Sequence, residues 1–158
     1  MNNAKILTGH LALAMAIGMP LTNALSQPTH PLAGTYAVVS NAPFGVNPVG
    51  QMILGTDGRY SIILTRATLP KIAGGARDKG TAEEDKAIVG GSIGHFGKYM
   101  VDAQQKSITF DVEASTFPNW NGVAFSRPLK ITGDQLIYTN SAPSIGGPAY
   151  DVVWKRLK

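Results

Sequence analysis

The sequence predicts an all-β protein, an eight-stranded antiparallel up-and-down barrel with one short helix inserted after the third strand. Three observations predict it. Short stretches rich in β-branched and aromatic residues recur at meander spacing. Turn-forming residues separate them, in a chain with 18 glycines and 10 prolines among 158 residues. A single capping box stands between the third and fourth stretches. Eight strands close into a barrel just wide enough to hold one small ligand.

In chain order, residues 1–26 read as a signal peptide and residues 27–158 as the barrel domain. Lys5 supplies a positive start, Ile6 to Met19 an apolar run, and Pro20 its end. Cleavage falls after Ala24 or after Ser26, where small residues stand. The run is about 14 residues, short of the roughly 20 that cross a bilayer as a helix. A buried helix or a retained anchor is the alternative. The expected location is periplasmic or secreted. The chain has no cysteine, which excludes disulfides, a lipidated cysteine, a thiolate metal site and a cysteine nucleophile.

Gly34 to Ser40 reads as the first strand and Asn41 to Pro48 as a loop. Gly50 to Leu54 and Tyr60 to Thr65 follow. Asp57-Gly58 joins them, a pair favoured where both central residues take positive φ. Tyr60, Ile62 and Leu64 alternate onto one face. Arg66 to Gly80 is a long connection and a candidate lid. Thr81 and Glu84 form the capping box of a short helix that ends near Gly90-Gly91. Then come Gly97 to Val101 and Ser107 to Ser115. The latter sets Ile108, Phe110, Val112 and Ala114 against Ser107, Thr109, Asp111, Glu113 and Ser115. Val123 to Thr132 and Gln135 to Thr139 pair across Gly133-Asp134, and Tyr150 to Leu157 is last.

These pieces resemble the bacterial and fungal lipocalin-like domain family of small calycin-type barrels. The matching features run from Leu32-Ala33-Gly34-Thr35-Tyr36 through Gly55 to Ser61 and Gly80-Thr81 with Glu83-Glu84. They continue through Gly97-Lys98-Tyr99, Val101-Asp102, Val112 to Ser115, Pro118-Asn119, Arg127 and Gly133 to Leu136, and end at Val153-Trp154-Lys155-Arg156. The resemblance implies a lipocalin-like barrel with a central cavity, and leaves activity open. Relatives often carry histidines where this chain has Phe110 and Asp111, so histidine chemistry is not carried over. The lipocalin pattern of an aromatic residue on the first strand under an arginine near the last implies a structural role for Tyr36 and Arg156.

Candidate site residues follow from alternation. Val123, Phe125, Arg127, Leu129 and Ile131 share a face, so an arginine stands in an apolar row. Inside a cavity, Arg127 could hold a ligand carboxylate. An ion pair with Asp111 or Glu113, or a reach to the barrel mouth, would satisfy it otherwise. Tyr138 is a second anchor candidate, and Tyr60, Tyr99 and Trp154 are wall candidates. Asp111 and Glu113 share a strand face about 7 Å apart. They read either as solvated surface or, if luminal, as an acid–base pair. His95 reads as a structural histidine or a lone base. The loop carrying Phe117 and Trp120, with Phe125 beside it, either stacks on a flat ligand or caps the barrel end.

The expected function is binding of a small hydrophobic or amphipathic molecule in the cavity. The alternatives are a small cyclase, isomerase or hydrolase using inward carboxylates, and a protein-binding inhibitor of the cell envelope. No cofactor or metal site is expected, nor a membrane span. A net charge of +4 without a basic run argues against nucleic acid. A monomer is expected.

Overall fold

The computed structural model describes residues 30–158; the leader read over residues 1–26 lies outside them. Strands β1 (Gly34–Asn41), β2 (Val49–Leu54) and β3 (Arg59–Thr65) precede helix α1 (Ala82–Gly91). Strands β4 (Ser92–Val101), β5 (Ser107–Ser115), β6 (Ala124–Thr132), β7 (Gln135–Asn140) and β8 (Tyr150–Arg156) follow it. Each strand pairs antiparallel with the next, and β8 returns to β1 to close the barrel. The predicted class therefore holds, helix included. Closure leaves no strand edge unpaired.

Alternation builds the core. On β3, Tyr60, Ile62 and Leu64 are buried while Arg59, Ser61 and Ile63 face solvent. On β5, Ile108, Phe110 and Val112 point inward. Ala114 does not join them, contrary to strict alternation. The pairing skips Glu113, so Phe96 meets Ala114 while Gly97 meets Val112. Glu113 is the extra residue of a bulge, which turns Ala114 outward beside the exposed Phe96. Gly97 permits this: a Cβ there would stand 2.0 Å from the Asp111 carbonyl oxygen.

Two further expectations are corrected. The β2–β3 turn places only Gly58 at positive φ, 78°. Gly58 N–H closes it on the Gly55 carbonyl at 3.2 Å, and the Asp57 carboxylate accepts from Arg59 N–H at 3.0 Å. Asp57 thus contributes by its side chain and not by a left-handed backbone. Strand β4 begins at Ser92, five residues before the predicted Gly97, because α1 runs straight into it.

Helix α1 carries its predicted capping box. The Thr81 hydroxyl accepts from Glu84 N–H at 3.2 Å, and the Glu84 carboxylate accepts from Thr81 N–H at 2.9 Å. The preceding connection docks on it, with Ala73 N–H donating to Glu84 at 3.0 Å.

The strand directions separate two ends. The lower end has the tight connections 55–58, 102–106 and 133–134 and the residues that lead into β1. The upper end has the longer connections 42–48, 66–91, 116–123 and 141–149.

Candidate functional site

The upper half of the lumen holds a polar cluster within aromatic walls. Asn41 comes from β1, Leu64 from β3, Ile93 and His95 from β4, Phe110 from β5 and Arg127 from β6. Tyr138 and Asn140 come from β7, and Tyr150 and Val152 from β8. Phe44, Trp120 and Ser144 close in from the loops. The void left among them is about 30 Å³, room for a water or two.

Arg127 is the centre of this cluster. It sits in the apolar row that alternation predicts, flanked by Phe125 and Leu129, and is only 5% exposed. Its guanidinium carbon lies 5.1 Å from the Phe125 ring centre and 5.5 Å from that of Tyr138. Its one hydrogen bond among the described residues goes from Nη1 to Asn140 Oδ1. Asn140 in turn donates from Nδ2 to the Tyr150 hydroxyl at 2.8 Å. No carboxylate reaches Arg127: the ion pairs among the described residues are Arg59–Glu113 and Lys155–Asp134. A guanidinium has five N–H donors, so most of them are left for something else. Burial pulls its pKa down, while Tyr138, Tyr150 and Tyr60 pull it up.

Asn41 is buried at 3% exposed, and its Oδ1 has no hydrogen-bond partner among the described residues. His95 stands across β4, with its Nδ1 2.9 Å from the Tyr60 hydroxyl. Burial first, and then the charge of Arg127, hold the imidazole pKa down at about 4, so the ring is neutral at pH 7. Burial also pushes the Tyr60 phenol well up, so it keeps its proton. Trp120 meets His95 edge to face at 5.4 Å, and Phe125 packs on Trp120 at 5.2 Å.

Arg127 and Tyr138 line this site directly. Tyr60 stands behind His95. Tyr99 and Trp154 lie lower and serve packing. Tyr99 donates its hydroxyl to the Gly55 carbonyl at 2.9 Å and stacks on His30 at 5.0 Å. Trp154 is fully buried; its Nε1 lies beside the Tyr138 hydroxyl without a well-formed hydrogen bond. At the barrel floor the Arg156 guanidinium lies 5.8 Å over Tyr36 and donates to the Ala33 carbonyl. The Tyr36 hydroxyl donates to the Leu32 carbonyl at 2.8 Å.

Asp111 and Glu113 are exposed on the outer face, where Glu113 pairs with Arg59 at 3.1 Å. Neither meets Arg127, and an acid–base pair of these two has no access to the lumen. Phe117 and Trp120 cap the upper end, packed edge to face at 5.8 Å. No residue of the 66–80 connection, the candidate lid, lines the luminal void.

Sequence reasoning passed over Asn41, Asn140, Tyr150 and Ser144. Asn140 carried a usable signal, since it continues the inward alternation of Leu136 and Tyr138. Asn41 did not. A register shift between Val38 and Ser40 reverses the alternation there and turns Asn41 inward in place of Ser40.

A closed eight-stranded antiparallel barrel with a buried arginine among aromatic rings at one end is an architecture of the calycin kind. The chain belongs to the lipocalin-like domain family, whose sequence profile matches residues 34–156. A comparison with curated proteins finds no match. Among the described residues no helix is long and apolar enough to cross a membrane.

Proposed function

We propose that the protein binds an amphipathic small molecule whose anionic head, a carboxylate or its like, enters the upper lumen and is held by Arg127. One observation carries this reading: a 5% exposed guanidinium with no carboxylate partner among the described residues. An unpaired buried charge is costly, and a site that keeps one has a use for it. The void of about 30 Å³ fits a head group and not a whole hydrophobic ligand, which needs several hundred. The ligand body then lies in the mouth, against Phe44 and Trp120. The leader read in the sequence supports an exported protein, periplasmic or secreted.

Native mass spectrometry of protein purified gently from its native host tests this. A reproducible added mass is expected, lost on Arg127→Met. A bare mass, with no thermal shift across a panel of fatty and aromatic acids, would overturn it.

One observation favours a second reading, the protein-binding barrel. The lumen is nearly filled, and Ile53 and Phe96 flank Ser61 on the outer face with Ile63 beside them, all exposed. A bare mass together with a partner lost on Phe96→Lys would support it.

A further inference from the structure

We propose that His95 is the second arm of the luminal site, donating from Nε2–H to the same anionic head that Arg127 holds, with Tyr60 fixing the tautomer that makes this possible. The proposal rests on reading the lumen as the binding site. The Tyr60 hydroxyl has one partner among the described residues, His95 Nδ1 at 2.9 Å. No other acceptor reaches the phenol among the described residues, and we therefore assign Tyr60 as the donor and Nδ1 as the acceptor. A neutral imidazole that accepts at Nδ1 carries its proton on Nε2.

Nε2 forms no hydrogen bond among the described residues. It is also not one of the two sealed, unpartnered side-chain atoms, Asn41 Oδ1 and Trp154 Nε1. It therefore keeps accessible surface, on a ring that lines the lumen together with Arg127. The ring is held in place by Tyr60 at 5.5 Å, Trp120 at 5.4 Å and Phe110 at 6.5 Å, all edge to face. The titratable and charged groups around it are Tyr60 on β3 and Arg127 on β6; Asp111 and Glu113 on β5 face outward.

The site thus offers one full positive charge and one neutral donor. That suits a compact monoanion with two acceptor oxygens, a carboxylate, over a dianion such as a phosphate monoester. An anion placed between the two arms offsets the field of Arg127 at His95. Binding at pH 5 therefore draws a proton onto the imidazole.

Benzoate, with methyl phosphate as the dianion control, tests this on the full protein by calorimetry and by ¹H–¹⁵N spectra of the histidine rings. At pH 7 the free protein is expected to show the Nε2–H tautomer at His95, and benzoate to shift that resonance. His95→Phe weakens benzoate binding roughly tenfold or more, as for a hydrogen bond to a charged group. His95→Gln, which keeps an N–H donor, recovers most of it. Calorimetry at pH 5 in two buffers of different ionisation heat shows more proton uptake in the wild type than in His95→Gln, where only the proton released by benzoic acid itself remains. An Nδ1–H tautomer in the wild type, or wild-type benzoate affinity in His95→Phe while Arg127→Met loses it, overturns the proposal and leaves the Arg127 reading standing. Absence of binding to the wild type by benzoate and by a panel of fatty acids overturns both.

Discussion

The two ends of the barrel treat their polar groups in opposite ways. At the lower end the hydroxyls and the guanidinium are consumed in closing the fold, and among the described residues only Trp154 Nε1 is left sealed without a partner there. Tyr36 donates to Leu32, Tyr99 to Gly55, and Arg156 stacks on Tyr36 and binds Ala33. Met52, Ile108, Leu136 and Trp154 pack solidly above them. At the upper end Arg127, Asn41 and His95 keep donors and acceptors unspent around a small void. Both ends use an arginine over an aromatic ring, so the pairing itself is not diagnostic. The difference lies in what the remaining N–H groups reach: a backbone carbonyl below, open lumen above. The first arrangement serves stability and the second is where the proposed binding falls, a division common where a site must hold unsatisfied groups.

The largest expected effect is at the bottom. Trp154→Ala should cost about 3–5 kcal/mol in denaturant unfolding. The molecules that stay folded should keep the benzoate affinity of the wild type; a matching loss of affinity would erase the distinction between the ends. The next effect belongs to the upper end and depends on pH. His95 titrates near 4 when folded and near 6.5 when unfolded. The unfolded chain therefore binds the extra proton, and stability is full above pH 6.5 and falls as pH drops toward 4. The loss reaches roughly 3 kcal/mol. Comparing unfolding across that range with His95→Gln isolates this contribution from that of the carboxylates. A pH slope unchanged in the variant would mean that the ring is solvated.

Arg156→Ala should cost about 1 kcal/mol, with the loss of a cation–π contact and a carbonyl hydrogen bond at the floor. Its effect on benzoate binding should be nil. Glu113→Gln should cost least, under about 0.5 kcal/mol, because its pair with Arg59 is well exposed. A large effect of Glu113→Gln on ligand affinity would return the outer carboxylates to consideration as a site.

The fold was legible because its signals are local. The period of two in β3, the capping box at Thr81 and Glu84, and Gly58 in the first hairpin each survive in the structure. Arg127 was legible for the same reason, as one charge in an unbroken apolar alternation. The rest of the site was not, because it depends on where alternation breaks. Bulges turn Asn41 inward on β1 and Ala114 outward on β5, and the extra residue of a bulge has no distinct sequence mark. His95 was legible only as a structural histidine or a lone base, because the strand was expected to begin at Gly97, whereas the backbone passes directly from α1 into β4 at Ser92.

On the proposed function, Arg127 is kept free of a carboxylate partner for an anionic head. The most direct test is the preference for benzoate over neutral benzamide in the wild type and in Arg127→Met. A preference of tenfold or more is expected in the wild type. In Arg127→Met it should vanish, while folding stability stays within about 1 kcal/mol or rises, as when a buried charge gives way to an apolar side chain. An equal preference in both proteins, or a collapse of the fold on Arg127→Met, would contradict it and make Arg127 a structural residue like Arg156.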